Sequence, residues 1–141
     1  MTKRSHLMIG VGCSLLFGVN VIPCVIGALL PDIDIIWGKY FKGNFWLSHR
    51  GITHHFSIPL ALLVLSLVYS DFSFIFISLS LGYFSHLFAD ALTPTGIPFF
   101  FSYYPRFSLK IVKTGSLLEF LLVICFFTFC ICFYYFKKTL F

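Results

Sequence analysis

A chain of 141 residues that is 59% hydrophobic, 21% aromatic and only 11% charged, with a mean hydropathy of +0.96, does not suit a soluble domain. At this length a large share of the chain stays at the surface, and that surface would be apolar. The formal net charge of +5 is no sign of a nucleic-acid ligand, because the lysines and arginines stand at the ends of apolar segments, as headgroup anchoring and the positive-inside rule require.

The expectation is one integral membrane domain, all-α, a polytopic helical bundle of about four transmembrane segments with the lipid bilayer as its first partner. The N-terminal MTKRSHLMIGVGCSLLFG has the basic start and apolar run of a signal peptide. No small-residue cleavage site follows, so the run is expected to stay. Residues 7–30 are apolar but interrupted by Gly10, Gly12, Gly18, Asn20 and Pro23. They read either as one irregular span or as a re-entrant hairpin of two half-length helices, and a helix apolar all round carries too little moment to choose. Pro31 then ends the segment within 29-LLPDIDI-35 and leaves Asp32 and Asp34 at its end. Residues 56–70 and 72–92 form a predicted hairpin turning at Asp71, and residues 116–136 are the clearest span. The five cysteines, Cys13, Cys24, Cys125, Cys130 and Cys132, all lie in apolar segments as small hydrophobes, so neither a disulfide framework nor a thiolate zinc site is indicated.

Against this apolar background the few ionisable groups are informative, because each is costly at membrane depth. The acids are Asp32, Asp34, Asp71, Asp90 and Glu119. Asp32 and Asp34 repel one another unless a cation lies between them, although a helix cap and solvated loop would also use them. In 82-GYFSHLFAD-90, His86 and Asp90 are one helical turn apart on one face with Tyr83 beside them, either aimed at a common centre or pinning two helices as a buried pair. In 46-WLSHRGITHHF-56 a turn at Gly51 would bring His49 and His54 inward, and neutral imidazole is the commonest nitrogen ligand of zinc-like ions. Arg50 beside them suits a two-pronged hold on phosphate.

Counting segment ends puts these three pairs on one membrane face. The expected metal ligands are therefore His6, Asp32, Asp34, His49, His54, His86 and Asp90, with His6 joining only if residues 7–30 fold back. The cofactor is one or two divalent ions, and zinc, manganese and iron suit the mixed ligands equally. Asp32 or Asp34 would bridge ions or act as general base, and Arg50 would stabilise charge. Further candidates are His55 as an extra ligand, Arg106 as a second anion contact, Tyr83, and Glu119. The last reads either as the partner of Ser116 in a capping box or as a group supporting the metal. The aromatic run 99-FFFSYY-104 reads first as an interfacial anchor.

These residues also carry a resemblance. LPDID, HRGITH, GYFSHLFADALTPTGIPFF followed by Pro105 and Arg106, and GSLLE stand in the order found in the YdjM-type family of LexA-regulated, membrane-bound proteins named as metal-dependent hydrolases. The resemblance spans His6 to about Glu119. It implies a multi-pass protein of the bacterial inner (plasma) membrane with a divalent-metal centre, and matches at His6, Asp32, Asp34, His49, Arg50, His54, His86, Asp90 and Glu119. Two departures stand out: His55 replaces the family's commoner Ser, and the segment between Asp34 and His49 is short. A weaker similarity to zinc-dependent phospholipase C proteins points to phosphoesters.

The functional expectation is hydrolysis of a phosphoester in a lipid-linked substrate at the membrane surface. The alternative is a metal-binding membrane protein without hydrolytic activity, as an ion pathway or a structural or regulatory partner. An ion pathway needs polar groups through the bilayer, whereas the middle of residues 116–136 offers only Thr128 and cysteines. If residues 7–30 fold back, eight of the ten basic residues share the site's face and Lys137 and Lys138 lie opposite, which makes the site cytoplasmic; a single span leaves six against four.

Overall fold

The computed structural model describes residues 1–38, 40, 47, 49–99 and 102–140. Lys39 and Lys42, counted among the basic residues, lie outside the described residues, as do the side chains of the aromatic run 99–104.

Helix α1 (Lys3–Phe17) starts at Thr2, whose hydroxyl accepts from the Ser5 N–H, and stops at Gly18 in the left-handed conformation, φ 66°. Two residues later α2 (Val21–Leu29) runs back along it. The Cys24 thiol reaches the Gly10 carbonyl at 3.3 Å, and Gly10 lies against the Ala28 side chain. Residues 7–30 are thus two helices folded back, which settles the alternative left open by the sequence. At the tip the Asn20 N–H donates to Ser78 Oγ at 3.2 Å, giving irregular backbone at membrane depth the partner it needs. Ser78 is eight residues before His86 in the sequence, about 12 Å along a helix at 1.5 Å per residue. The hairpin therefore turns partway along its neighbour.

Past α2, Pro31 opens a 3₁₀ turn over Leu30–Asp34, followed by the short α3 (Ile35–Gly38). Another 3₁₀ turn, Ile52–His54, leads into α4 (Ser57–Val68), which is joined through a turn at Ser70–Phe72 to α5 (Ser73–Ala91). The sequence reading of this hairpin holds to within a few residues. Helix α5 is the centre of the fold, packed against α1, α2 and α4.

After α5, strands β1 (Ile97–Phe99) and β2 (Ser102–Phe107) pair antiparallel, with Ile97 opposite Phe107. The sequence reading had taken this stretch only as an interfacial run. Beyond the strands, the N–H groups of Leu109, Ile111 and Val112 bond the carbonyls of Ala91 and Leu92, satisfying the open end of α5. Helix α6 (Leu117–Leu140) packs on α1 and ends in Lys137 and Lys138. Among the described residues three helical stretches are long and apolar enough to cross a membrane, Val21–Gly38, Ser70–Ala91 and Leu117–Leu140, and Ser57–Val68 is a shorter apolar companion.

The termini of these elements bring the polar groups together. The start of α1, the end of α2, the turn before α4 and the end of α5 meet at one end of the bundle, where His6, Asp34, His54, His86 and Asp90 are all at most 1% exposed.

Candidate metal centre

His86 sits one helical turn before Asp90 on α5, with its Nδ1 2.7 Å from the Ala28 carbonyl oxygen. A carbonyl only accepts, so Nδ1 carries the hydrogen and the Nε2 lone pair faces away from α2. Two glycines permit that contact: a Cβ on Gly82 would stand 1.8 Å from the Cys24 carbonyl oxygen, and one on Gly27 2.1 Å from that of Leu79. Without side chains there, α2 and α5 approach backbone to backbone.

His54 is oriented by the same logic. Its Nδ1 lies 3.3 Å from Asp34 Oδ2 and 3.1 Å from Thr53 Oγ1, whose own hydrogen goes to Asp34 at 2.5 Å. Nδ1 is therefore the donor and Nε2 the acceptor. The two acceptor nitrogens, His54 Nε2 and His86 Nε2, face each other at 3.2 Å. Around them stand Asp90 Oδ2, 3.5 and 3.7 Å away, and Asp32 Oδ1, 3.9 Å from each. Four donors around a tetrahedral zinc lie about 3.3–3.6 Å apart, given bonds of about 2.0–2.2 Å. Lone pairs and carboxylates converging at this spacing repel unless a cation, proton or metal, lies among them. Without a metal, positive charge is favoured on His54 itself: burial opposes it, but hydrogen bonds to Asp34 and Asp90 outweigh that and hold the group above its ordinary value of 6.5, and a metal ion at Nε2 would take the place of that proton.

His6 comes in from α1. Its ring stacks on that of His86 at 3.7 Å and 15°, and its Nε2 is 3.3 Å from Asp90 Oδ1. Among the described residues neither buried ring nitrogen of His6 has a hydrogen-bond partner. The contact with Asp90 aside, buried ring nitrogens without a hydrogen-bond partner are costly, and the donor set as a whole suits a divalent ion. Among the described residues the ligand atoms form three overlapping groups, each within 4.8 Å: His6, Asp32 and His86; His54, His86 and Asp90; Asp32, Asp34 and His49. His86 and Asp32 are each shared by two of them. All seven residues read from the sequence as ligands are thus brought together, and the cluster is able to hold a metal ion.

Comparison with known proteins shows the family. The family model described as YdjM inner membrane protein matches residues 1–140. The chain belongs to the YdjM family. It is 32% identical to the inner membrane protein YdjM of Escherichia coli K12 over 84% of this chain and 76% of that protein, and the Shigella flexneri YdjM matches equally. No solved structure matches. In this YdjM-family inner membrane protein the blocks LPDID, HRGITH and HLFAD lie where α1, α2, α5 and the turn before α4 meet.

The remaining candidates fall around this cluster in distinct ways. Asp34 accepts from four donors: His49 Nδ1 at 2.6 Å on one oxygen, and the Arg50 N–H, the Thr53 hydroxyl and His54 Nδ1 on the other. It orients its neighbours more than it offers a free oxygen. Arg50, in the left-handed region at φ 61°, is buried, with Nη2 on Asp90 Oδ2 at 2.9 Å and Nη1 on Thr93 and the Gly96 carbonyl at 3.1 Å. Those contacts tie the 93-TPTG-96 turn to the cluster, where the sequence reading had given Arg50 to an anion. His49 stands at the rim, its side chain 43% exposed.

Four candidates lie outside the ligand groups. His55 turns its Nδ1 to the N–H and hydroxyl of Ser57 and caps α4. The Tyr83 hydroxyl donates to the Thr53 carbonyl. Arg106 Nη1 reaches the Thr95 carbonyl at 3.4 Å. Glu119 accepts from the Thr2 N–H, the Ser5 hydroxyl and the Gly115 N–H, while its own N–H donates to Ser116 Oγ. Its capping reading extends to a staple between the starts of α1 and α6. Sequence reasoning missed Thr53 and Thr93, which sit inside quoted motifs but look unremarkable as hydroxyls, and the Ala28 carbonyl, which no side chain announces.

Proposed function

We propose that this YdjM-family protein is a membrane-bound, metal-dependent hydrolase acting on a phosphoester of a lipid-linked substrate at the cytoplasmic face. The observation that carries the reading is the pair of acceptor nitrogens, His54 Nε2 and His86 Nε2, facing each other at 3.2 Å between Asp32 and Asp90. His6, Asp32, His54, His86 and Asp90 would hold one or two divalent ions, with His49 at the rim. Such an ion supplies Lewis acidity, bringing the pKa of water toward neutrality and drawing charge from a phosphoryl oxygen.

The chain's own groups have separate parts. Asp34 holds His49, the Arg50 backbone and His54 in place, so Asp32 is the carboxylate left for proton transfer; it lines a cavity open to the outside. The Ala28 carbonyl and Asp34 fix the tautomers of His86 and His54, which keeps both Nε2 atoms available. Arg50 locks Asp90 and the 93–96 turn against the cluster. With the hairpin folded back, Lys3, Arg4, Arg50, Arg106, Lys110 and Lys113 fall on this face among the described residues, against Lys137 and Lys138 opposite, and the positive-inside rule favours the cytoplasm for it.

The experiment is cleavage of phosphate-monoester and diester lipids by purified protein in detergent, with and without chelator, beside His86→Ala. Metal-dependent turnover lost in the variant supports hydrolysis. The engagement of Arg50 by Asp90, Thr93 and Gly96 favours one rival, a metal site without turnover, and metal retention with no cleavage of either lipid class would establish that rival.

A further inference from the structure

On α1, Leu7 stands four residues after Lys3 and three after Arg4, so it neighbours both cations on the helix surface. The facing side of α2 and its 3₁₀ turn presents Ile26 and Ile33. Between them is a cavity of about 530 Å³ with Asp32 in its wall, a volume in the range of small-molecule sites. Its apolar walls open outward: Leu7, Ile26 and Ile33 are 44%, 47% and 44% exposed. The cavity thus runs from an exposed apolar surface to Asp32, a member of the candidate metal cluster.

Charge decides what belongs there. Lys3 and Arg4 are exposed, and neither has an ion-pair partner among the described residues. Two unpaired cations over an apolar trough attract a group that is anionic at one end and hydrocarbon at the other. A phosphate monoester carries between one and two negative charges near neutral pH, which matches a pair of cations. A choline headgroup brings a fixed positive charge to the same place. A second cavity, of about 500 Å³ between α1, α5 and α6, has no lysine or arginine in its wall and offers no comparable selection.

We propose that the α1–α2 cleft is a seat for an anionic phosphomonoester lipid of the bilayer, with the phosphate on Lys3 and Arg4 beside Asp32 and an acyl chain along Leu7, Ile26 and Ile33. The role of this lipid as substrate rests on the hydrolase reading of the cluster; its binding does not. The re-entrant hairpin is what makes the seat, because folding α1 back sets its first-turn cations at the end of α2 where the cluster lies.

The test is native mass spectrometry of the full chain in detergent with dioleoyl phosphatidic acid, phosphatidylcholine and glycerol 3-phosphate as probes. The wild type is expected to retain phosphatidic acid about tenfold more than phosphatidylcholine, since each basic residue near the charge contributes several-fold. Lys3→Gln/Arg4→Gln is expected to abolish that preference. Ile33→Trp, which fills the trough without touching charge, is expected to lower retention of phosphatidic acid. Lys110→Gln/Lys113→Gln, elsewhere on the same face, is expected to retain it as the wild type does. Full retention in both cleft variants overturns the seat, as does an equal loss in the Lys110/Lys113 pair or glycerol 3-phosphate binding as tightly as the lipid. Selective binding without turnover in the wild type supports the seat while removing the hydrolase reading.

Discussion

The Ala28 carbonyl oxygen accepts the Nδ1 hydrogen of His86 across 2.7 Å, and that bond joins the fold to the chemistry of the site. It fixes which nitrogen of His86 faces Asp32, Asp90 and His54. It exists because Gly27 and Gly82 let α2 and α5 touch through their backbones.

Gly82→Ala is therefore expected to act at a distance. The new Cβ meets backbone that cannot swing aside, so the helices must part, at a cost of about 1–3 kcal/mol from overpacking. Unfolding in detergent should show that loss, and bound metal should fall with it. Stability lost with metal affinity intact would separate the helix contact from the site.

Ligands and orienting groups should differ in degree. His54→Ala and His86→Ala remove Nε2 donors and should abolish high-affinity metal binding. Asp34→Asn keeps the shape but weakens the hold on His54, and loss of such a partner lowers affinity by roughly 10- to 100-fold. Competition with a chromophoric chelator measures both; an Asp34→Asn protein as empty as His86→Ala would make Asp34 a ligand.

Acid should displace the metal. His54 stands above 6.5 because Asp34 and Asp90 outweigh its burial. In the metal-free protein its contribution to stability is fully present below 6.5 and is lost as pH rises through the raised value. Metal needs the neutral ring, so binding releases the proton. The gap in melting temperature between metal-loaded and chelated protein should accordingly shrink from about pH 8 to about pH 6. A gap independent of pH would place His54 outside the ligand set.

Glu119 should behave as a structural group. Glu119→Ala leaves the Thr2 and Gly115 N–H groups and the Ser5 hydroxyl without their acceptor, costing about 1–3 kcal/mol, with metal stoichiometry unchanged in the folded fraction. Loss of metal at full stability would return Glu119 to the site.

The orientation is open to a labelling test. Cysteine-free protein bearing Lys113→Cys or Lys138→Cys should react with a membrane-impermeant reagent from opposite sides, Lys113→Cys from the cytoplasm. The reverse pattern would put the cluster on the outer face.

Much of this was legible in the sequence because the bilayer makes ionisable residues conspicuous. In so apolar a chain, His6, His49, His54, His86 and the aspartates stood out, and the helix hairpin at Asp71 followed from segment length alone. The fold-back of residues 7–30 was not legible, since it depends on Gly10 meeting Ala28 and on Asn20 finding Ser78, contacts between distant positions. Roles within the cluster were hidden for the same reason. Asp34 and Asp32 look alike two residues apart, and only the donors delivered by the 49–54 turn distinguish them. The β-hairpin escaped because aromatic residues serve a strand and a membrane interface equally well.

The most direct measurement is X-ray absorption at the metal edge of protein purified without added chelator. The account expects a retained ion in a mixed nitrogen and oxygen shell at about 2.0–2.2 Å, with outer-shell scattering from at least two imidazoles that diminishes in His54→Ala. No retained metal, or a shell without imidazole, would contradict it.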